Sequence, residues 1–380
     1  MANKSKRILM FSSNYLPHIG GAELALHEIT KRIDGFDFDL ITAHLDKSLP
    51  VFERIGNVNV FRIGNKGAFL KILMPKALFP LFAFIKSLRL SQNNSYGMVF
   101  ALQASQAAGA AWLFKIFNNR IPFILNIQEG KNLKQQGKMI NFFRNLIIIK
   151  ADAIITISDY LKEYAKNINL KARISVIPNG VDFAAFSILR NNDLRQKLGY
   201  GDNHKVVISV SRLVPKNGLK DLIESLVYLE DDVKLLIIGD GPLRDSLKLK
   251  SHELGLDGRI KFAGQVTHDD LPKYLAAADV FVRPSLSEGL GTAFLEAMAA
   301  KLPVVGTKTG GITDFIINRE TGLFCEVNNS KDIADKVDMI LKDNTLKDFM
   351  VSNARKLINE KYDWEIISRK YKELFQTYGV

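Results

Sequence analysis

The sequence predicts an α/β protein made of two Rossmann-like, doubly wound domains that face a cleft. Its 380 residues exceed what a single hydrophobic core usually serves. Short apolar or β-branched runs alternate with amphipathic stretches, which is typical of parallel strands covered by helices on both faces. The alternation occurs twice, on either side of a turn-rich segment, Pro178-Asn-Gly-Val-Asp182. Ligands of such folds bind at the carboxyl ends of the strands.

The predicted strands are short runs rich in aliphatic and aromatic residues, and helical patterns lie between most of them. In the first half of the chain they are Arg7–Phe11, Asp39–Ala43, Val58–Ile63, Gly97–Leu102, Phe123–Asn126, Ala153–Ile157 and Ile174–Ile177. In the second half they are Lys205–Val210, Val233–Ile238, Ile260–Ala263, Val280–Arg283, Val304–Gly306 and Gly322–Cys325.

The turn-rich segment divides the chain into an N-terminal domain, residues 1–182, and a C-terminal domain, residues 183–363. A last helical pattern at residues 364–380 is followed by no strand. We therefore expect this helix to cross back and pack on the N-terminal domain.

Cysteine usage and the amino-terminal sequence bear on the compartment. The single cysteine, Cys325, allows neither an internal disulfide nor a cysteine-rich zinc site, so a reducing cytoplasm is expected. The apolar run Ile8–Phe11 is too short for the hydrophobic part of a secretory signal, and it favours a buried strand instead.

The net charge of +12 is concentrated in the first half of the chain. Residues 1–190 contain 25 Lys and Arg against 12 Asp and Glu, whereas residues 191–380 contain 27 against 28. Nine basic residues and no acidic one lie between Glu53 and Glu129. This asymmetry predicts a polyanionic partner, either a membrane surface, a phosphorylated lipid or a nucleic acid. Nucleic acid ranks last, because the stretch lacks the aromatic and glycine patterns of common RNA-binding modules.

The segment Phe69–Leu90 is hydrophobic and aromatic, but Lys71, Pro75, Lys76 and Pro80 interrupt it. These interruptions argue against a transmembrane helix, which needs about 20 apolar residues. Two interpretations remain open. The segment is either a helix at a membrane interface or a buried crossover helix with lysine stems at its rim.

The segment Pro284–Met298 is the most informative part of the chain. It follows the predicted strand Val280–Arg283 and opens a helix near Thr292. Gly289 and Gly291 let the backbone approach a ligand closely, and the amides of the new helix face the same point. Such a helix start suits a phosphate group.

Two carboxylates, Glu288 and Glu296, flank this proposed phosphate site. Carboxylates do not bind phosphate, but they accept hydrogen bonds from sugar hydroxyls. The segment therefore predicts a pocket for a sugar joined to a phosphate. The alternative is that Glu296 lies on the helix surface and Glu288 in a solvated turn.

Cations and paired glycines follow two other strands. Arg212 and Lys216 come after Lys205–Val210, where they could neutralise a diphosphate. Gly20 and Gly21 lie between the first strand and the first helix, where their amides could contact an anion. Taken alone, the first loop could be an ordinary basic surface loop and the second a tight turn.

The sequence gives little support for a metal or a cofactor. Asp37 and Asp39 have the spacing of a nucleotide-sugar metal motif, but they lie at the amino end of a strand, where an exposed strand edge is expected. The six histidines show no paired ligand spacing, so a surface or structural role is expected for them. Gly239-Asp-Gly241 lacks the third glycine of a dinucleotide fingerprint, whose position Arg244 occupies.

A set of motifs resembles those of the retaining glycosyltransferases often called family 4 or group 1: Gly20-Gly21, Pro178–Asp182, Arg212 with Lys216, and Glu288-x7-Glu296. The resemblance is strongest from Val206 to Leu323 and looser before Ala153. It implies the two-domain GT-B fold, a UDP- or GDP-sugar as donor substrate, and no cofactor or essential metal. The N-terminal domain would bind the acceptor and the C-terminal domain the donor.

The resemblance also implies roles for individual residues. Arg212 and Lys216 would stabilise the departing diphosphate, and Glu288 would hold the transferred sugar. Glu296 would bind the ribose, and Val266 would lie against the base. The substrate-binding positions that would contact phosphate, sugar, ribose or base are Gly20, Gly21, Gln128, Val266, Gly289, Leu290, Gly291, Thr292 and Glu296.

The chain departs from the family pattern at two places. The family commonly has its lysine five residues after the arginine, where this chain has Asn217, and Lys216 lies one position earlier. A histidine often found near the reacting sugar is replaced by Gln128, which cannot act as an acid or base. Glu129 is then the titratable candidate nearby.

Breaking the bond between sugar and diphosphate develops negative charge on the leaving oxygen, where cations and helix amides act. No carboxylate nucleophile is evident, so we expect attack from the same face, with the departing phosphate taking the proton of the acceptor.

The expected function is retaining, metal-independent hexosyl transfer onto a lipid-linked saccharide in cell-surface polysaccharide synthesis. The protein would be cytoplasmic and peripheral on the inner face of the membrane. The alternatives are a nucleotide-sugar epimerase of the same fold and a non-catalytic membrane-binding module.

Overall fold

The computed structural model describes residues 6–17, 20–64, 78–130 and 136–378. The chain divides into two compact units. The first comprises Met1–Asn179 together with Trp364–Val380, and the second comprises Gly180–Asp363. The first stretch of the first unit thus ends at Asn179, three residues before the domain boundary predicted at Asp182.

Within the described residues, the first unit has an eight-stranded sheet with the order β3-β4-β2-β1-β5-β6-β7-β8. All neighbouring strands are parallel, apart from the antiparallel pair β3 and β4. The strands are β1 Lys6–Phe11, β2 Phe36–Ala43, β3 Phe52–Ile55, β4 Val58–Ile63, β5 Met98–Leu102, β6 Phe123–Ile127, β7 Ala153–Thr156 and β8 Arg173–Val176.

Helices cover both faces of this sheet. Right-handed crossovers place α2 to α5 on one face, because the chain moves from β4 to β8 in one direction, and α1 on the other. The C-terminal helix α14 packs beside α1. The helices of this unit are α1 Gly21–Arg32, α2 Phe79–Asn93, α3 Gln106–Phe117, α4 Lys138–Lys150, α5 Asp159–Lys166 and, after the second unit, α14 Trp364–Thr377.

Helix α14 supplies part of the first unit's core. Trp364, Ile367, Tyr371 and Phe375 are buried in the same cluster as the inward side chains of α1, β1, β2 and β5. Such burial fits the helical spacing of these four residues along α14.

The second unit has a parallel sheet with the order β11-β10-β9-β12-β13-β14. Its strands are β9 Lys205–Val210, β10 Val233–Ile238, β11 Ile260–Gly264, β12 Val280–Arg283, β13 Val304–Thr307 and β14 Leu323–Cys325. Its helices are α6 Phe183–Phe186, α7 Asn192–Lys197, α8 Leu219–Ser225, α9 Arg244–Glu253, α10 Leu271–Leu275, α11 Thr292–Ala299, α12 Ser330–Lys342 and α13 Asn344–Lys361. Short 3-10 turns occupy Pro215–Asn217, Leu226–Tyr228 and Gly310–Asp314.

The position of Asp39 in strand β2 differs from the position expected from the sequence. Asp39 is not at an exposed strand edge, because β2 is hydrogen-bonded to both β1 and β4 and Asp39 is 1% exposed. Its carboxylate accepts hydrogen bonds from Tyr96 Oη at 2.6 Å and from Asn59 Nδ2 at 2.7 Å. Asp39 is therefore a structural group of the first unit.

The hydrophobic segment Phe69–Leu90 is described only from Leu78 onward, and positions 69–77 lie outside the described residues. Its second half belongs to α2, the crossover helix from β4 to β5, whose inner side buries Phe79, Ala83 and Phe84. No helix in the described ranges combines the length and the apolar character needed to cross a bilayer.

Candidate functional site

The order of the second sheet reverses between β9 and β12, and this switch point is where doubly wound sheets bind ligands. The loops that leave these two strands are locked together. Gly218 has a φ of 66°, and a Cβ there would lie 2.0 Å from the carbonyl oxygen of Pro284. The amide of Leu286 donates a hydrogen bond to the carbonyl of Lys216 at 2.7 Å. The sequence motifs around Arg212 and Glu288 thus form one structural group.

The loop after β13 joins the same group. Gly310 has a φ of 54°, and a Cβ at this position would lie 1.8 Å from the Glu288 carbonyl oxygen. The Gly311 amide donates to that carbonyl at 3.3 Å. Glycine is required at position 310 both for its backbone angle and for this close approach. The backbone of Glu288 is therefore fixed from two sides.

The carboxylate of Glu288 is only 12% exposed and lies beside two cations. Arg283 Nη2 donates to Oε2 at 2.8 Å, and Lys216 Nζ lies 3.7 Å from the same oxygen. The other oxygen, Oε1, accepts the amide of Gly289 at 3.0 Å. Glu288 is thus a held carboxylate, and the alternative of a solvated turn residue is wrong.

Arg283 is a residue of this group that sequence reasoning missed. It ends β12, is 6% exposed, and stacks on the ring of Phe294 at 4.9 Å. Its Nη1 also donates to the carbonyl of Val210 at 3.3 Å, so it ties β12 to the end of β9. The available signal was a lone cation at the carboxyl end of an apolar strand, five residues before Glu288.

Helix α11 starts at this group. Gly291 has a φ of 97°, which favours glycine, and Thr292 is the first helical residue. Gly289, Leu290 and Gly291 are buried, and Thr292 is half-buried. The first amides of a helix have no partner within it and carry partial positive charge. Together with Lys216 they make this end of the sheet suitable for an anionic group.

Glu296 lies farther along α11 and is 6% exposed, so it is not a helix-surface charge. Its Oε1 lies 3.1 Å from Nε2 of His268, and the His268 ring packs against Phe186 at 5.4 Å between centroids. His268 was expected to be a surface or structural residue, and its contact with a predicted site residue was missed. The two residues are 28 positions apart, and no local pattern connects them.

The residues of the loop after β9 differ in exposure and in hydrogen-bond partners. The Arg212 side chain is exposed, and within the described residues it has no ion-pair or hydrogen-bond partner. Asn217 is 4% exposed, and its Nδ2 donates to the Arg212 carbonyl at 2.6 Å. Lys216, rather than the inward-turned Asn217, therefore approaches Glu288.

Two glycines after β10 support this loop. A Cβ at Gly239 would lie 2.0 Å from the carbonyl oxygen of Ser211, and one at Gly241 would lie 2.5 Å from that of Leu213. The segment Gly239-Asp-Gly241 thus packs against the backbone on either side of Arg212. Its glycines have a structural explanation that needs no dinucleotide.

Val266 follows β11 in the second unit. It borders a cavity of about 540 Å³ whose wall also contains Lys197, Lys273 and Tyr274. The contact of Val266 with a base remains a prediction.

In the first unit, the paired glycines lie at the start of α1. The amide of Gly20 donates to Oε2 of Glu23 at 2.9 Å, and Gly21 is the first residue of the helix. Burial raises the pKa of Glu23. A donor phosphate that used the Gly20 amide would have to replace Glu23, which is a feature that the glycine motif alone did not reveal.

Gln128, also in the first unit, is 7% exposed at the end of β6. Its Oε1 accepts a hydrogen bond from Asn179 Nδ2 at 3.0 Å, while its Nε2 has no hydrogen-bond partner among the described residues. The adjacent Glu129 accepts the amides of Ala104 at 2.6 Å and of Gln128 at 2.9 Å. Burial raises the pKa of Glu129. Glu129 thus braces the loops after β5 and β6.

The described residues contain no cluster of three or more His, Cys, Asp or Glu side chains arranged to hold a metal ion. Lys216, Arg212 and the start of α11 bring two positive charges and free helix amides to the carboxyl ends of the strands in the second unit. Phosphate binding by cations and helix amides is therefore the chemistry that this arrangement supports.

Comparison with known proteins identifies the family. The family model described as glycosyl transferases group 1 matches residues 190–357, and that described as glycosyltransferase family 4 matches residues 19–185. An uncharacterized glycosyltransferase of Methanocaldococcus jannaschii is 30% identical over 97% of this chain and 98% of its own. The chain is a group 1 glycosyltransferase. It is also similar, at 29% identity over 59% of this chain and 62% of the relative, to a GDP-mannose-dependent α-(1-6)-phosphatidylinositol monomannoside mannosyltransferase of Mycobacterium tuberculosis.

Solved structures show that this glycosyltransferase has the GT-B fold. Sucrose-phosphate synthase of Thermosynechococcus elongatus superposes with a TM-score of 0.85 at 20% identity, over 98% of both chains. The Anabaena protein HepE, solved in complex with UDP-glucose, superposes with a TM-score of 0.81 at 22% identity, over 98% of this chain and 99% of its own. The predicted fold class is confirmed.

Proposed function

We propose that this glycosyltransferase transfers a hexose, with retention of configuration and without a metal ion, from a UDP- or GDP-sugar to a lipid-linked saccharide. The reaction would serve cell-surface polysaccharide synthesis on the inner face of the membrane. The donor would bind to the second unit and the acceptor to the first.

One observation supports the binding of the nucleotide-sugar donor to the second unit. It is the grouping of Lys216, Glu288 and the start of α11 at the switch point of the second sheet. A cation and helix amides suit the diphosphate, and a held carboxylate beside them suits the hydroxyls of the sugar. Glu296, buried in the same helix, would accept hydrogen bonds from the ribose. Two similar proteins support such a donor, since one is named for GDP-mannose and the other was solved with UDP-glucose.

The carboxylates of Glu288 and Glu129 are both held by other groups of the protein. This supports retention of configuration by attack of the acceptor from the same face as the departing diphosphate. Glu288 is engaged by Arg283 and Lys216, and the two oxygens of Glu129 accept backbone amides. Neither is placed as a nucleophile. Arg212 and Lys216 would stabilise the departing diphosphate, whose oxygen would take the proton of the acceptor hydroxyl.

The charge of the first unit supports a lipid-linked acceptor. Between positions 54 and 151 the chain has fourteen basic residues and a single acidic one, Glu129. Lipid diphosphates and anionic headgroups complement such a surface. The similar mycobacterial enzyme is named for an acceptor built on phosphatidylinositol.

A thermal-shift panel of UDP, GDP, UDP-sugars and GDP-sugars tests the proposed binding of a nucleotide-sugar donor, because a ligand that binds only the folded protein raises its stability. We expect at least one nucleotide sugar to raise the unfolding temperature, and the shift to fall in Glu296→Gln. Glu360→Gln, in an exposed part of α13, is the matched control and should keep the shift. A panel without any shift would contradict the proposed donor.

Incubation of the selected nucleotide sugar without acceptor separates transfer from epimerisation. A transferase leaves the sugar configuration of the donor unchanged in this incubation. An interconverted donor would contradict the proposal and favour an epimerase.

A further inference from the structure

Helix α4 presents a hydrophobic stripe to solvent. Met139, Phe142, Phe143 and Ile149 are 72%, 59%, 56% and 57% exposed, respectively. Positions 139, 142, 143 and 146 follow the spacing of one helix face, and Leu146 is half-buried between them. The stripe is thus a continuous face and not a set of isolated exposed residues.

The opposite face of α4 is firmly packed. Ile147 and Ile148 are buried against the first unit, and the buried Arg144 donates to Asn141 Oδ1 at 2.9 Å and also bonds Gln136. The exposed stripe therefore belongs to a well-anchored helix. A contiguous apolar face on an anchored helix usually marks an interaction surface.

The charged side chains of α4 and of the described helices α2 and α3 are all basic. The exposed Lys138 and Lys150 lie at its two ends, and α2, α3 and α4 contain no acidic residue. Helix α3, which contacts α4, and helix α2, which contacts α3, add exposed apolar side chains at their ends, including Phe117 at 70% and Leu81 at 47%. Two copies of this face would bring like charges together, whereas anionic lipid headgroups would complement them.

We infer that the α4 stripe docks this glycosyltransferase on an anionic phospholipid bilayer, with the phenylalanines inserted at the boundary of headgroups and acyl chains and the two lysines on the headgroups. A helix that lies in the interface has this combination of an apolar face and cationic flanks. The inference rests on the proposed function only in that a lipid-linked acceptor would bring the enzyme to a membrane.

Vesicle cosedimentation of the full chain tests this inference. With phosphatidylcholine vesicles containing phosphatidylglycerol, the double variant Phe142→Gln, Phe143→Gln should bind about tenfold or more weakly than the natural protein, since burial of an aromatic side chain contributes on that order. The control is Phe349→Gln, which removes a phenylalanine that is 54% exposed in the second unit and should leave binding unchanged. All variants should keep the natural unfolding temperature, because the substituted side chains are exposed.

The lysines provide a second readout. Lys138→Gln with Lys150→Gln should weaken binding to the anionic vesicles and reduce its salt dependence, with little effect on pure phosphatidylcholine vesicles. Unchanged binding of both variants would overturn the inference. A concentration-dependent dimer of the natural protein that is absent in the phenylalanine variant would also overturn the inference, because the stripe would then be an interface with a second copy.

Nucleotide binding keeps this inference separate from the proposed function. The stripe variants should retain the thermal shift given by the selected nucleotide sugar. A protein that binds vesicles through α4 but no nucleotide sugar would contradict the proposed function alone. A protein that binds the nucleotide sugar but whose vesicle binding does not depend on α4 would contradict this inference alone.

Discussion

At the residue scale, Arg283 and Lys216 share one carboxylate but differ in their surroundings. Arg283 is buried and bonded to Glu288 at 2.8 Å, whereas Lys216 lies at 3.7 Å with its side chain 34% exposed. A charge-assisted bond between two buried groups holds its geometry. We therefore expect Arg283 to position Glu288, and Lys216 to turn toward a diphosphate.

Lys216 and Asn217 should respond in opposite ways to substitution. Lys216→Gln should lower kcat by about 10²–10³ if it stabilises the leaving group, with a change in unfolding free energy within about 0.5 kcal/mol. Asn217→Ala should destabilise the protein by about 1–3 kcal/mol, because it removes a buried donor to the Arg212 carbonyl. Steady-state kinetics and chemical unfolding measure both. A stable, inactive Asn217→Ala beside an active Lys216→Gln would reverse the assignment.

At the element scale, the parallel strands were predictable because strands buried on both faces are continuous apolar runs. Val58–Ile63, Lys205–Val210, Val233–Ile238 and Val280–Arg283 have the predicted bounds, and the other predicted strands start or end elsewhere by at most three residues. Strand β3 was missed, because an exposed edge strand has no apolar run. Its signal was the tight turn at Gly56-Asn57 before β4.

The candidate site was predictable where its chemistry is local in sequence. The glycines before α11 and the carboxylates around them mark a helix start that is suited to a phosphate. The contacts of Lys216 with Glu288 and of His268 with Glu296 join residues 72 and 28 positions apart, and only the folded sheet brings them together. The role of Arg283 was missed in part for the same reason, since its partner Val210 ends β9, 73 positions away in the sequence.

The loop after β13 gives a prediction at this scale. Gly310→Ala should destabilise the protein by about 2 kcal/mol or more and weaken donor binding, because a Cβ there collides with the Glu288 carbonyl. Gly258→Ala is the control, because its Cβ would meet no atom within 4 Å, and it should change stability by about 1 kcal/mol or less. Thermal unfolding and nucleotide-sugar titration measure the two effects. Equal behaviour of the two variants would contradict the packing described.

At the scale of the whole molecule, helix α14 follows the second unit in sequence but belongs to the first unit. Phe375 of α14 is fully buried, and its ring lies 5.9 Å from that of Phe36 and 5.8 Å from that of Phe100. The first unit is thus built from two separate stretches of chain. We expect its stability to depend on the last helix, independently of the second unit.

Phe375→Ala tests this dependence. It should lower the free energy of unfolding of the first unit by about 3–5 kcal/mol, the range observed for large aromatic side chains removed from a core. Phe349→Ala, which truncates an exposed phenylalanine in α13, should change stability by about 0.5 kcal/mol or less. Denaturant unfolding followed by circular dichroism measures both, and a marginal effect of Phe375→Ala would contradict a core role for α14.

The turnover number of Arg212→Ala measures whether cations of the second unit stabilise a departing nucleoside diphosphate. The Arg212 side chain is exposed and has no partner among the described residues, so its removal should leave the unfolding temperature unchanged. With saturating nucleotide sugar, we expect kcat to fall by about 10²–10³. A kcat equal to that of the natural protein in this folded variant would contradict the proposed role of Arg212 in stabilising the diphosphate.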